Sequence, residues 1–243
     1  MKITVINGTE KRGVTFKLKQ IFLEGFGRDA EIDEFYLPKD CPAFCSGCAS
    51  CCLNGEDTCK DREYVRRIER SLTEADLIVM ASPAYVMHAT GAMKTLLDHF
   101  AYRWMPHRPA PHMFGKRAVI ISQCLGAGAR STVKDIEHSL SWWGISRIGV
   151  FKGALMGDIV WDRLSEKRRN KLTKKMRKLS RKFGGIDYSK PARARAATKI
   201  KFAICRLMQK KLYKKDPDYT DAKYWHEQGW LGKARPWKRR ARR

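Results

Sequence analysis

No run of about 18 consecutive apolar residues occurs in this 243-residue chain, which excludes a sequence-evident transmembrane helix. The first residues also lack the basic start, apolar middle and small-residue cleavage site of a secretory signal. They enter a strand-like KITVIN directly, so a cytoplasmic location is expected. No internal repeat is visible, which sets solenoids and propellers aside. Acidic residues are scarce only toward the end: residues 151–243 carry 30 Lys/Arg against 8 Asp/Glu, residues 1–150 carry 20 against 17. The net charge of +25 is therefore a property of the C-terminal third, and partners of opposite charge are to be sought there. With 43% hydrophobic and 10% aromatic residues, the composition is that of a globular protein with a sizeable core, not a disordered tail.

What is present is an alternation of strand-like and helical stretches. Lys2 to Asn7 is a short β-branched run, and residues 13–26 place Val14, Phe16, Leu18, Ile21, Phe22 and Phe26 at helical spacing. Ile32 to Leu37 reads as a second strand, Tyr64 to Leu72 as a helix, and Leu77 to Ala81 as a buried strand. Met93 to Phe100 then reads as a helix, Ala118 to Ile121 as a strand, Val133 to Trp143 as a helix and Ile145 to Phe151 as a fifth strand. Strands separated by helices imply right-handed crossovers and a parallel sheet covered on both faces. The expected fold is a doubly wound α/β sheet of order 2-1-3-4-5, with ligands at the carboxyl ends of the strands. Beyond it, Leu164, Leu172, Met176, Leu179 and Phe183 fall on one face of a basic helix. Ile200, Ile204, Leu207, Met208 and Leu212 form the apolar face expected of a second, and KARPWKRRARR reads as a mobile tail. The expected division is a domain at 1–155, with a Cys-rich insertion at 41–59, followed by a basic helical extension at 156–243.

Three loops fall at one end of this sheet. NGTEKRGVT (Asn7 to Thr15) offers two glycines, hydroxyls, positive charge and a helix N-terminus, the means by which a phosphate is held, with Thr9, Lys11, Arg12 and Thr15 as the side chains placed there. It lacks the G-x-G-x-x-G turn of a dinucleotide site. SPAYVM (Ser82 to Met87) breaks the third strand and can present Tyr85 to a planar ring. In SQCLGAGARS (Ser122 to Ser131), Gly126 and Gly128 permit close backbone approach. Each alone also suits a plain tight turn; together they make one crevice.

With SPAYVMHATGAMKTLLDH and DIEHSLSWWGISRIGVF, the phosphate loop makes residues 1 to about 155 resemble the NAD(P)H-dependent FMN reductases of flavodoxin-like fold. Glu10 stands where that family usually has Pro, and His99 where it usually has Arg. The resemblance implies an FMN-dependent oxidoreductase using NAD(P)H, a small-molecule or protein electron acceptor, and a homo-oligomer. It implies FMN phosphate at Thr9, Lys11, Arg12, Val14 and Thr15. It implies the isoalloxazine ring against Ser82, Pro83, Ala84, Tyr85, Val86 and Met87, and against Gln123, Cys124, Leu125 and Gly126. No side chain is required as acid or base, because the cofactor carries the chemistry.

Cys45, Cys48, Cys51 and Cys59 form C-x2-C-x2-C-x7-C, a spacing by which thiolates wrap a cubane cluster. It resembles the cysteine motif of iron-sulfur flavoproteins and implies a [4Fe-4S] cluster. Four thiolates also suit zinc, and similar Cys-rich loops can be metal-free. Cys124, Cys205, Trp142 and Trp143 read as packing residues. A different class of function is a flavodoxin-like binding module docking through its basic third. For that third, packing onto the domain is the plainer reading, an anionic membrane surface the sharper one, and nucleic acid the least favoured because no reading motif accompanies the charge.

Overall fold

The computed structural model describes residues 1–27, 29–155 and 160–238. In chain order these residues form β1 (Lys2–Asn7), α1 (Val14–Leu23), β2 (Glu31–Tyr36), α2 (Ser50–Leu53), α3 (Arg62–Glu74) and β3 (Leu77–Ala81). There follow β4 (Ala84–Tyr85), β5 (His88–Ala89), α4 (Gly91–His99), β6 (Arg117–Leu125), α5 (Ala129–Trp142), β7 (Arg147–Leu155), α6 (Glu166–Gly184), α7 (Ala196–Lys215) and α8 (Thr220–Glu227).

Five strands make a parallel sheet of order β2-β1-β3-β6-β7, the expected 2-1-3-4-5 winding of a flavodoxin-like fold. Because side chains alternate across a strand, Ile3, Val5, Leu77, Val79, Val119 and Ile121 line one face and Ile6, Ile78, Met80, Ala118 and Ile120 the other. The first face is covered by Val14, Leu18 and Phe22 of α1. The second is covered by Val65, Ile68 and Leu72 of α3, Met93, Leu96 and Leu97 of α4, and Val133, Ile136 and Leu140 of α5.

The basic extension is part of this body. Helix α6 lays Leu172, Met176 and Phe183 on the α1 side of the sheet, as the sequence spacing implies, and leaves its Lys/Arg outside. Ser180 Oγ donates to the Phe22 carbonyl at 2.6 Å, an approach that Gly25 allows, since a Cβ there would stand 2.1 Å from Ser180 Oγ. Helix α7 reverses the expectation. Its buried side is Phe202 and Cys205 with Thr198 and Gln209, while Ile200, Ile204, Leu207 and Met208 are exposed. The cause is a third core in which Phe202 and Cys205 meet Met105, Phe114, Trp225 and Trp230, with Phe202 stacked on Trp225 at 4.8 Å between centroids. The end of the chain is also packed through residue 237, since Pro236 is buried and the Trp237 ring lies 5.1 Å from that of Phe202. Residues 239–243 of the expected tail, and 156–159 at the expected domain boundary, lie outside the described residues. No helix among those described is long and apolar enough to cross a membrane.

Candidate functional site

The loops after β1, β3 and β6 converge. Gly8 N donates to the Ala81 carbonyl at 2.8 Å and its own carbonyl accepts from Thr90 Oγ1, so the first loop is tied to the end of β3 and the start of α4. A Cβ on Gly8 would stand 2.8 Å from Ser82 Oγ and 2.9 Å from Thr90 Oγ1, a closeness only glycine permits. The same Thr90 hydroxyl caps α4 by accepting from Met93 N at 3.1 Å. Gly13, at the N-cap of α1, supplies no side-chain cap, so the first N–H groups of the helix are left for an anion. Thr15, in that first turn, is buried with a hydroxyl that has no hydrogen-bond partner among the described residues. Buried polar atoms are ordinarily satisfied, and a phosphate oxygen would satisfy this one. Thr9 Oγ1 accepts from Lys11 N at 3.2 Å and lies 3.5 Å from Tyr85 Oη, joining the first loop to the second. Lys11 and Arg12 are exposed, Arg12 over the Phe16 ring, and Val14 is buried, so Val14 can serve a ligand only through its backbone.

The second loop is a hairpin that the sequence did not announce. Beyond the buried Ser82 and half-buried Pro83, Tyr85 pairs with His88 across a turn made by Val86 and Met87, at φ 46° and 72°. Such turns favour Asn and Gly, and a β-branched valine there is strained. The rest of the site holds the hairpin: Asp135 accepts from Ala89 N at 3.0 Å and lies 3.1 Å from His88 Nδ1. Gly128, at φ 105°, comes so close that a Cβ would stand 2.8 Å from Met87 Cα and 3.2 Å from Ala84 Cβ. Such strain persists only where the surrounding structure over-determines it, as here. The result is an apolar rim, with Tyr85, Val86 and Met87 45%, 95% and 52% exposed.

In the third loop β6 runs four residues beyond the expected Ile121, which changes what Gln123 and Cys124 can offer. Both side chains are buried, the Gln123 amide on the Cys124 carbonyl and the Cys124 thiol on the carbonyls of Gly153 and Gly126, so each faces a ligand only through its backbone. Leu125 is exposed and Gly126 turns at φ 77°. Ser122 Oγ is a second buried hydroxyl without a partner among the described residues. The two orphaned hydroxyls, the glycine approaches and the open apolar rim fit a ligand with a phosphate and a flat ring. Of the residues that build this crevice, Thr90 could have been found as a cap ahead of an apolar helical run. Asp135 carries no local signal, because its partners lie 46 and 47 residues away.

The cysteine loop is a separate construction. Arg108, buried, donates to the carbonyls of Cys51 and Cys52 and pairs with Glu56 and with the buried Asp221 of α8. Thr220 Oγ1 donates to the Leu53 carbonyl at 2.6 Å. The Cys51 thiol is pushed down to about 6, by a hydrogen bond with Cys52 and, against burial, by the Arg108 charge; the Cys52 thiol is correspondingly raised. Burial raises the Cys59 thiol, against a hydrogen bond from the Asp61 backbone, and the charges of Cys51, Asp61 and Cys45 add to it, so Cys59 feels two of the other motif cysteines. Cys48 is exposed. Among the described residues one group of three metal donors has all its ligand atoms within 4.8 Å: Cys59, Asp61 and His99, not three of the motif cysteines. Four thiolates on one zinc ion, at about 2.3 Å each, would stand about 3.8 Å apart, closer than any three of the motif cysteines all lie, whereas a cubane takes thiolates set wider apart.

A family model described as NADPH-dependent FMN reductase matches residues 1–158. An iron-sulfur flavoprotein of Archaeoglobus fulgidus is 28% identical over 155 residues, 63% of this chain and 66% of the relative's own length. An NADPH azoreductase of Bacillus sp. (strain OY1-2) is 26% identical over 168 residues, 68% of this chain and 78% of the relative. In fold, the chain is similar to an FMN-dependent NADH-azoreductase of Bacillus anthracis solved with FMN. The TM-score is 0.57 at 13% identity, covering 76% of this chain and all of that one. With a parallel sheet wound in that manner and a family match over most of its length, the chain belongs to the NADPH-dependent FMN reductase family.

Proposed function

We propose that this protein is an FMN-dependent oxidoreductase that draws electrons from NAD(P)H and passes them to a small-molecule or protein acceptor. The observation that carries the reading is the meeting of the phosphate-type loop with the strained apolar hairpin, Thr9 against Tyr85, at the carboxyl ends of β1 and β3. In this reading Thr9, Lys11, Arg12, Thr15 and the α1 N-terminus hold the phosphate. Tyr85 to Met87 and Leu125–Gly126 border the ring, and Asp135 and Gly128 fix the hairpin that does so. When bound, FMN supplies the hydride and electron chemistry. The chain's part is to bind, orient and exclude water. His88 is engaged with Asp135, and no side chain is assigned a proton-transfer role. The test is purification: yellow protein with a flavin absorbance band that oxidises NAD(P)H supports the reading. Colourless protein that takes up no added FMN defeats it and leaves the binding module ahead.

The cysteine loop is assigned a [4Fe-4S] cluster on Cys45, Cys48, Cys51 and Cys59, supported by the donor set and by the iron-sulfur relative. Anaerobic isolation with an iron and sulfide assay tests it.

A second reading is favoured by one surface. Helix α7 exposes Ile200, Ile204, Leu207 and Met208 as one stripe beside Lys199, Lys210 and Lys211. An apolar stripe edged by lysines suits an anionic membrane surface. Sedimentation with anionic and neutral vesicles tests it: binding to the anionic vesicles alone that is lost in Ile204→Asp supports this reading, and binding to neither kind at low salt removes it.

A further inference from the structure

His99, the last residue of α4, is only 3% exposed, and the two nitrogens of its ring are treated differently. Nε2 lies 2.9 Å from the carbonyl oxygen of Ala43, an oxygen that can only accept, so Nε2 carries the proton and donates it. In the neutral ring Nδ1 is then a lone pair, and it is buried with no hydrogen-bond partner among the described residues. Beside this ring stand the Cys59 thiol and the Asp61 carboxylate, every ligand atom of the three within 4.8 Å of the others. A histidine whose outer nitrogen is anchored on a backbone carbonyl, with its other nitrogen unpaired among soft and anionic donors, is arranged as a metal ligand is.

The motif cysteines are therefore not equivalent. Among the described residues Cys45, Cys48 and Cys51 have no such group of non-cysteine donors around them; Cys59 has two, one neutral and one anionic. Cys41 is also near, since the charges of Asp61 and Cys59 both act on its thiol, but burial first of all holds that thiol protonated, up to about 11, and it is a poorer candidate.

We propose that the Cys59 corner of the cysteine loop is redundantly ligated: His99 Nδ1 can take the cluster iron that the Cys59 thiolate takes. The exchange is a substitution at iron, in which one metal–sulfur bond breaks and one metal–nitrogen bond forms, with no change of oxidation state. It follows that the cluster should survive loss of Cys59 but not loss of Cys45 or Cys51. The inference rests on the iron-sulfur reading of the loop, and the experiment separates the two.

Full-length, flavin-loaded protein is reconstituted anaerobically with ferrous iron and sulfide as wild type, C45A, C51A, C59A, H99L and the double variant C59A/H99L. Iron and sulfide per chain and the electron paramagnetic resonance spectrum of the dithionite-reduced protein are recorded. Flavin content of the same samples reports that each variant is folded, and C59V replaces C59A should the latter lose its flavin. The expected result is that C59A keeps at least about half of the wild-type iron with an altered resonance spectrum, that C45A and C51A keep less than about a tenth, and that C59A/H99L falls to their level. C59A losing its iron as completely as C45A, with flavin retained and wild type loaded, overturns the proposal alone. So does a C59A cluster that is indifferent to H99L. Wild type that takes up less than about one iron per chain overturns the iron-sulfur reading and this inference with it.

Discussion

The crevice at the end of the sheet and the cysteine loop beside it are held by different means. The crevice is tied by hydrogen bonds among its own loops, Gly8 to Ala81, Thr90 to Gly8 and Asp135 to Ala89, all made within the α/β unit. Among the described residues it has buried hydroxyls without partners and exposed apolar side chains, the features on which the proposed FMN site rests. The cysteine loop is fixed by buried charge, with Arg108 between Glu56 and Asp221 and with Arg62 and Arg103 on Glu69. Two of those anchors, Asp221 and Thr220, lie more than 100 residues beyond Arg108 in the chain. The C-terminal third is thus part of the frame for the cysteines and only indirectly part of the frame for the crevice. Perturbing the third core should unsettle the cysteine loop before the crevice.

The largest effect is expected of Trp225→Ala. This side chain is fully buried against Phe202 and Trp230, and its Nε1 donates to the His107 carbonyl at 2.7 Å. The variant should lose about 3–5 kcal/mol in urea unfolding. Alkylation of Cys51 and Cys52 should accelerate at denaturant concentrations where FMN is still bound; simultaneous loss would mean that the two regions share one frame. Asp221→Ala should cost about 3 kcal/mol, because it leaves the buried Arg108 guanidinium short of its closest carboxylate, and thiol reactivity should again rise with little change in FMN affinity. Gly128→Ala works on the other region: with φ at 105° and Met87 Cα 2.8 Å from the added carbon, it should cost about 1–3 kcal/mol and weaken FMN binding, leaving thiol reactivity unchanged. Thr15→Val removes an unpaired buried hydroxyl, so stability of the FMN-free protein should stay within about 0.5 kcal/mol while FMN affinity falls roughly tenfold by titration. Unchanged FMN affinity would place the phosphate elsewhere.

The smallest effect is in acid. Glu56, despite burial, is held below its ordinary value of 4.5 by Arg103 and Arg108. A lowered folded value means that its contribution is present above pH 4.5 and disappears as pH falls through the folded value. Release of the cysteine loop, followed by alkylation of Cys51 and Cys52 after brief acid exposure, should therefore begin below pH 4.5 and be shifted in Glu56→Gln.

The sheet was legible because its strands are short apolar runs punctuated by turns: β1 and β3 fall on the residues that the pattern marks, and α6 buries the one apolar stripe it possesses. Helix α7 was misread for a physical reason. It is apolar on two sides, and spacing selects the stripe of Ile200, Ile204, Leu207 and Met208. Burial follows the side that meets Phe114, Trp225 and Trp230. The crevice loops were visible as glycine- and hydroxyl-rich turns, but that Gln123 and Cys124 turn inward depends on how far β6 pairs with β7, as far as Leu125 with Leu155.

The sequence by itself determined the doubly wound sheet, the end of it at which three loops gather and the segregation of positive charge, because periodicity, turn chemistry and composition are local properties. Only the tertiary structure decided that the basic third is a packed frame, that Asp221 reaches Arg108, that Asp135 holds the hairpin and that His99 stands beside Cys59. Each of these is a meeting of residues far apart in the chain, fixed by which aromatic and charged groups can be buried together, and no local pattern carries that information.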